Sequence, residues 1–206
     1  PVVLTRIDGH AILVNQAALD LAGIDDQTSV QGGEIIKNNG KITGVLVDNA
    51  EALINNIIPP MSKKGMIQAL LDAESYCINL GLTTVSDAGL SKEIIDLIDS
   101  LQQTGTLKIR VYAMVSASPG NLDYYLKKGI SKTDRLNVRS FKVYADGALG
   151  SRGAVLKEPY SDRHDHYGTM VNSLDDLSSI AKLLANSDFQ MNTHAIGDSA
   201  NSFILK

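Results

Sequence analysis

Short apolar runs separated by polar turns characterise the first 60 residues. Residues 2–7 predict a strand, and residues 10–22 predict a helix. Residues 34–47 predict a β-hairpin, because Asn39-Gly40 favours the positive φ angles of a two-residue turn. Residues 48–57 predict a short helix, which the following prolines end. This part of the chain is therefore expected to be a small α+β segment.

From residue 61 onward, apolar strands alternate with amphipathic helices. The predicted strands are residues 82–86, 107–115, 138–146 and 189–194, and the predicted helices are residues 62–79, 91–105, 122–128, 173–186 and a last one from residue 198. Four strand–helix units in a row are typical of a parallel sheet with right-handed crossovers. A doubly wound sheet and a segment of a barrel both fit this order. A glycine-rich phosphate fingerprint is absent after the first strand, which disfavours a nucleotide-binding sheet.

Serine caps and apolar faces define the helices more closely. Ser91 is a predicted N-cap, and Ser173 with Asp176 forms a predicted capping box. The helix at residues 62–79 is expected to turn one apolar face inward, formed by Ile67, Leu70, Leu71, Cys77 and Ile78.

Composition and charge exclude several classes of protein. The net charge is −4 and the signs are interspersed, so no basic stripe indicates nucleic-acid binding. No apolar run reaches the roughly 18 residues of a membrane span. The one cysteine excludes an internal disulfide and favours the cytoplasm, although nothing else indicates a compartment. The chain opens on Pro1 and is shorter than a complete barrel of about 250 residues, so we expect a piece of a longer protein.

Lys142 and His194 are the main candidates for chemistry. Each lies within or at the end of an otherwise apolar strand, where a lone charge would be costly without a partner. Loops after strand ends form the active sites of (β/α) barrels, so His194 is a candidate ligand or acid/base. The structural alternatives are a hydrogen-bonded core histidine, and a lysine that reaches solvent or pairs with Asp146.

Three further residues could lie near a substrate: His10, Asp146 and Arg152. For His10, packing or helix capping is an equal alternative, and for the other two a structural loop role is equal. His164-Asp165-His166 has the His-x-His form of a metal motif, but it lies in a polar stretch without a preceding strand. It is therefore predicted to be a solvated loop.

Several strings taken together resemble the amidohydrolase superfamily and, within it, the YtcJ-like (amidohydrolase-3) branch of metal-dependent hydrolases. The matching segments are residues 6–10 with Asn15, 32–33, 43–46, 81–88, 142–152, 159–162 and 194–198. Their order and spacing extend over nearly the whole chain.

The resemblance implies a partial (β/α)8 TIM-type barrel. The strands from residue 61 onward would be barrel strands two to five, so that residues 61–206 form part of the hydrolase domain. Residues 1–60 would be an α+β insertion between strands one and two, containing the hairpin. Members of this family carry a metal centre at the C-terminal mouth of the barrel.

The resemblance also implies roles for the two strand residues. Lys142 matches the lysine ligand of the fourth strand, and His194 matches the histidine ligand of the fifth. A neutral lysine amine in a dry pocket can add carbon dioxide and give an anionic carbamate ligand, and burial favours that neutral form. A histidine ligand binds as neutral imidazole with its other nitrogen held by an acceptor. The metal, expected to be zinc with one or two ions, would lower the pKa of a bound water.

The first-strand His-x-His, the sixth-strand histidine and the eighth-strand aspartate of the family are not found in this chain. We therefore expect a part of a hydrolase of amide, formamide or cyclic amide C–N bonds, inactive and metal-free when isolated, with a small-molecule substrate. The open side of the barrel would be covered by a homodimer, which we favour, or by residues 1–60 folding across it. The alternative is a non-catalytic α/β module that binds a small molecule or a partner.

Overall fold

The structure, a computed structural model, describes all 206 residues as a mixed α/β chain. The chain divides into two compact units. The first unit contains Pro1–Pro59, Tyr144–Leu177 and His194–Lys206, and the second contains Pro60–Val143 and Ser178–Thr193. The first unit is thus assembled from three separate stretches of sequence.

A four-stranded antiparallel sheet forms the N-terminal part of the first unit. Its strands are β1 (Val3–Thr5), β2 (Ala11–Val14), β3 (Gly33–Asn38) and β4 (Lys41–Asp48), in the order β1-β2-β4-β3. Asn39 and Gly40 join β3 to β4 with φ angles of 50° and 77°. The predicted hairpin and its turn are confirmed, because only residues that tolerate positive φ fit a two-residue connection of this kind.

The helix predicted over residues 10–22 is wrong in its first part. Helix α1 covers only Gln16–Ala22, and the side chain of Asn15 caps it by accepting from the Ala18 amide. Ile12 and Val14 are instead buried on one side of β2, with Leu13 exposed between them. This alternation matches a half-buried strand, and pairing with β1 and β4 satisfies its backbone groups.

Behind this sheet lies a compact apolar core, and the chain after β4 covers it. A 3₁₀ turn at Asn49–Glu51 leads into α2 (Ala52–Asn55). The buried core residues are Ile12, Val14, Ala18, Leu19, Ile24, Ile35, Leu46, Ala50 and Ile54. Two fully buried residues, Ala50 and Ile54, come from the turn and α2, so this short stretch belongs to the core of the first unit.

A parallel sheet with flanking helices forms most of the second unit. Strands β5 (Thr84–Leu90), β6 (Arg110–Ser116) and β8 (Leu136–Tyr144) pair in that order and are parallel. β9 (Gln190–His194) also pairs with β8, and the two-residue β7 (Ser131–Lys132) pairs with it antiparallel. The helices are α3 (Lys63–Asn79), α4 (Lys92–Gln103), α5 (Pro119–Lys128) and α6 (Leu174–Ala185).

The core of the second unit surrounds Tyr125 and Phe141, which are both fully buried. Phe141 also contacts the ring of Phe189, with centroids 5.1 Å apart. Ser91 caps α4 as predicted by accepting from the Ile94 amide, and Ile98 on this helix is buried. The predicted inward face of α3 is only partly correct, because no residue of this helix is fully buried and Ile78 is 48% exposed.

None of the helices combines the length and the apolar character that crossing a bilayer requires. The C-terminal ends of β8 and β9 lead into the first unit through Tyr144 and His194. Helix α7 (Asp198–Ile204) follows, with Gly197 rather than Asp198 at its N-cap. Polar residues after these strand ends therefore lie in the same unit as the antiparallel sheet.

Candidate functional site

The register of the antiparallel sheet places His10 beside Asp48. Ala11 pairs with Val47 across β2 and β4, so the adjoining residues, His10 and Asp48, lie opposite each other. The Asp48 amide donates to the carbonyl of His10 at 3.3 Å. The side chains also meet, with Nδ1 of His10 2.7 Å from Oδ1 of Asp48. Pairing of both backbone and side chains fixes the His10 ring at the end of the sheet.

Asp48 is nearly inaccessible to solvent, with a side chain 2% exposed. Its Oδ2 atom is buried without a hydrogen-bond partner. Burial raises the pKa of the Asp48 carboxyl above its ordinary value, and the nearby His10 and His194 lower it. The carboxylate lies against Gly147 and Gly153, where a Cβ at either position would collide with it.

The rings of His10, Tyr144 and His194 lie close to one another. The ring centroids of His10 and His194 are 4.9 Å apart, and those of Tyr144 and His194 are 5.5 Å apart. The His194 Nε2 lies 3.3 Å from the carbonyl oxygen of Gly147. His194 therefore has a carbonyl near one nitrogen, the arrangement expected of an oriented imidazole.

A half-buried acid, Glu51, lies near Asp48 and His10. Burial, together with the neighbouring charge of Asp48, raises the pKa of Glu51 to about 7. Its Oε1 atom is buried without a hydrogen-bond partner. Sequence reasoning identified neither Asp48 nor Glu51. Asp48 did carry a usable signal, because it follows the apolar run Val45-Leu46-Val47 in the same way that His194 follows its strand.

Asp146 has a structural role in the loops of the first unit. Its side chain is fully buried, and its two oxygens accept from three backbone amides: Val155, Ile196 and Gly197, at 2.8–2.9 Å. Such bonds satisfy a buried carboxylate and fix the loop after β9. The geometry matches the loop-stabilising alternative for Asp146, since both oxygens are already engaged.

Arg152 lies in a loop with a left-handed backbone, at φ 60°. Its guanidinium binds both oxygens of Asp162, with Nη2 2.5 Å from Oδ2, and this contact lowers the pKa of that carboxyl. The surrounding cleft of about 380 Å³ is lined by Leu149, Gly150, Arg152, Leu156, Pro159, Tyr160, Ser161 and Asp162. Arg152 therefore borders a cleft but is itself paired.

The His-x-His sequence lies in a loop, as predicted. His166 is half-buried, and its Nε2 lies 2.7 Å from the carbonyl oxygen of Arg152, whereas His164 is exposed. Asp198 is the first residue of α7, and its Oδ1 accepts a hydrogen bond from the Lys157 amide.

Lys142 belongs to the second unit and lies near the end of β8, half-buried. Burial lowers the pKa of its amine below the ordinary value, which favours the neutral form. Its carbonyl accepts from the Ala117 amide at 3.2 Å. The environment of Lys142 thus supports the chemistry that a carbamate requires.

The donors present fit part of a metal centre. The structure contains no group of three or more histidine, cysteine, aspartate or glutamate side chains arranged to hold a metal ion. A catalytic site of this kind needs at least three protein ligands. The Nε2 of His194 lies near a carbonyl oxygen and burial lowers the pKa of the Lys142 amine, and both features are compatible with metal ligation.

Comparison with known proteins gives consistent similarities over the whole chain. A family model described as an amidohydrolase family (Amidohydro_3) matches residues 1–206. The chain is 33% identical over 219 residues to "Protein LONG AFTER FAR-RED 3" of Arabidopsis thaliana, covering 100% of this chain and 38% of that protein. It is 34% identical over 222 residues to "Putative amidohydrolase YtcJ" of Bacillus subtilis (strain 168), covering 100% and 40%. The chain spans about two fifths of the length of these curated relatives.

Two solved structures are similar to this chain. They are described as uncharacterized metal-dependent hydrolases from Pyrococcus horikoshii OT3 and Pyrococcus furiosus. Each superposes with a TM-score of 0.72 at 26% identity and covers 100% of this chain. The match covers 41% of the first structure and 42% of the second.

Proposed function

This chain belongs to the amidohydrolase family, and from that membership we propose that it is part of a metal-dependent hydrolase of C–N bonds in amides, formamides or cyclic amides. The observation that carries the proposal is the match of the family model to all of residues 1–206. The similarity to solved metal-dependent hydrolases supports the same class.

The proposed architecture is a (β/α)8 barrel completed outside this chain. Strands β5, β6, β8 and β9 would be its strands two to five, in residues 61–206, and residues 1–60 would be an insertion. The parallel pairing of β5, β6 and β8 supports this assignment. In such barrels the reacting groups lie at the C-terminal ends of the strands, and Lys142 and His194 lie near the ends of β8 and β9.

Lys142 and His194 are the proposed ligands of a divalent metal, expected to be zinc. The metal would supply a water of lowered pKa for attack on the C–N carbonyl. The lowered pKa of the Lys142 amine would favour its carbamate form. His10 would contact the substrate, and Arg152 would lie at the border of its cleft. Asp146 would fix the loop after β9 and so hold His194 in place.

Assays of the full-length protein test this proposal with para-nitroacetanilide, para-nitroformanilide and dihydrouracil as probes. We expect hydrolysis that a chelator abolishes and added zinc restores. Lys142→Ala and His194→Gln should each lower kcat/KM by at least about a hundredfold, as is typical for the loss of groups that orient or stabilise the reacting centre. Bound metal, measured by elemental analysis, should fall with the activity.

Lys132→Ala is the matched control, because Lys132 is an exposed lysine in the same unit. It should retain both metal and activity. Full activity of Lys142→Ala, or activity that survives chelation, would contradict the proposed metal ligand. Binding of a probe without turnover in metal-loaded protein would favour the non-catalytic module.

A further inference from the structure

Asp48 adopts a backbone conformation that a residue with a side chain rarely occupies. Its φ is 50° and its ψ is −123°. A positive φ of this kind normally favours glycine, and a residue with a side chain is strained there. Glycine at this position would relieve the strain, so the carboxylate itself is the feature that needs an explanation.

Two distant glycines pack against that carboxylate. Gly147 and Gly153 lie more than 90 residues away in sequence, and a Cβ on either would collide with it. The carboxylate is buried, and within the protein its Oδ2 has no hydrogen-bond donor. Only Oδ1 is engaged, by the His10 ring at 2.7 Å. Burying a carboxylate that accepts only one side-chain hydrogen bond is costly, so this hydrogen bond is expected to have a role.

The contact determines which nitrogen of His10 carries the proton. A carboxylate accepts hydrogen bonds, so Nδ1 of His10 is held as the donor and Nε2 keeps its lone pair. The ring is 13% exposed by its side chain and lies 4.9 Å from the His194 ring. The lone pair of Nε2 is therefore the part of His10 that can accept from a bound molecule beside His194.

We propose that Asp48 is a positioning residue that holds His10 as the Nδ1–H tautomer, so that Nε2 accepts a hydrogen bond from an N–H group of the bound amide substrate. The substrate part of this inference rests on the proposed hydrolase function. The tautomer part rests only on the geometry of the first unit. Asp48 acts through His10 and does not touch the substrate.

Nitrogen NMR of the full-length protein labelled with ¹⁵N-histidine tests the tautomer directly. His10 is assigned by comparison with His10→Gln, and spectra are recorded in mildly alkaline buffer, where imidazoles are neutral. We expect the Nδ1–H form in the wild type and the Nε2–H form, ordinary for free histidine in water, in Asp48→Asn and Asp48→Gly. An Nε2–H tautomer in the wild type, or unchanged ring signals in the two variants, would overturn the proposal.

Asp48→Gly separates positioning from a purely structural role. Glycine removes the strain, so this variant should melt at or above the wild-type temperature although its His10 tautomer has changed. Asn39→Gly is the matched control, because Asn39 also has a φ of 50° but lies in the hairpin turn. It should leave the tautomer unchanged. A large drop in the melting temperature of Asp48→Gly would assign the carboxylate a structural role instead.

Kinetics with para-nitroacetanilide test the substrate contact. Asp48→Asn and His10→Gln should each lower kcat/KM about tenfold, the loss expected for one hydrogen bond, with most of the change in KM. The double variant should be no worse than His10→Gln, because Asp48 acts through that ring. Additive losses would overturn the proposal. If the wild type hydrolyses none of the probes, the proposed function fails and the tautomer measurement still decides the role of Asp48.

Discussion

Single buried polar atoms distinguish this chain at the residue scale. Glu51 and Tyr125 each bury an oxygen that has no hydrogen-bond partner within the protein. Burial raises the pKa of Glu51 to about 7 and that of Tyr125 to about 12. Both shifts have the same cause, since burial penalises the charged form of an acid. The two groups are tested in different ways. Glu51 titrates near neutrality, so a pH series tests it, whereas Tyr125 does not, so a substitution tests it.

Glu51 should make the stability of the chain depend on pH. Its pKa is about 7 in the folded state against 4.5 ordinarily, so the folded state binds this proton more tightly. The contribution of Glu51 to stability is therefore fully present below about pH 4.5 and is lost as the pH rises through about 7. The shift corresponds to about 3 kcal/mol before solvent screening, so we expect a loss of about 1–2 kcal/mol. Urea unfolding of the wild type and Glu51→Gln across this range measures the difference.

Glu158→Gln is the control for that experiment, because Glu158 is exposed in the same unit. Its pH profile should follow that of the wild type. Equal profiles for the wild type and Glu51→Gln would show that burial does not raise the pKa of Glu51.

Tyr125→Phe should keep or increase stability. The hydroxyl of Tyr125 is buried in the core of the second unit and has no hydrogen-bond partner. Its removal therefore removes the cost of taking this polar group out of water. We expect a gain of up to about 1 kcal/mol in the free energy of unfolding. Urea denaturation measures it, with Tyr76→Phe on the exposed surface as the neutral comparison. A loss above about 1 kcal/mol would show that the hydroxyl has a partner in solution.

At the scale of elements, local chemistry was predictable and distant pairing was not. The Asn39-Gly40 turn and the Ser91 cap depend on residues a few positions apart, and both are confirmed. Residues 11–14 form a strand because they pair with β1 and β4, the latter more than 30 residues away. The surroundings of Asp48 could not be predicted for the same reason, since its two glycine neighbours come about 100 residues later.

The cap of α4 gives a measurable prediction at this scale. The Ser91 hydroxyl accepts from the Ile94 amide, which would otherwise lack a partner in the first turn. Ser91→Ala should therefore lower the free energy of unfolding by about 1 kcal/mol, and Ser91→Gly by only a few tenths. Ser179→Ala, on the exposed surface of α6, should change it by less than about 0.5 kcal/mol. Equal effects of Ser91→Ala and Ser179→Ala would contradict a capping role.

At the scale of the whole molecule, the second unit leaves apolar surface and a sheet edge uncovered. Tyr76 and Leu80 are 70% and 63% exposed, and Leu82 is also exposed. Strand β5 has a single neighbour, β6. Unpaired strand edges and apolar patches favour association.

Residues 1–206 expressed alone should therefore form a homodimer. Light scattering should give twice the chain mass of 22.1 kDa, and the melting temperature should rise with concentration. Leu80→Lys with Leu82→Lys should shift the equilibrium toward monomer, whereas Leu21→Lys on the exposed surface of the first unit should not. A monodisperse wild-type monomer would exclude this assembly.

The three-part composition of the first unit has a consequence for the order of events on the ribosome. Residues 1–59 contain a complete antiparallel sheet with its own core, but the glycines against Asp48 and the ring of His194 belong to later stretches. At roughly 5–20 residues per second, translation of residues 60–194 takes about 7–27 s. During that interval Asp48 lacks the two glycines and the histidine ring that lie beside it in the folded chain. The surroundings of Asp48 are therefore complete only after β9 has been synthesised.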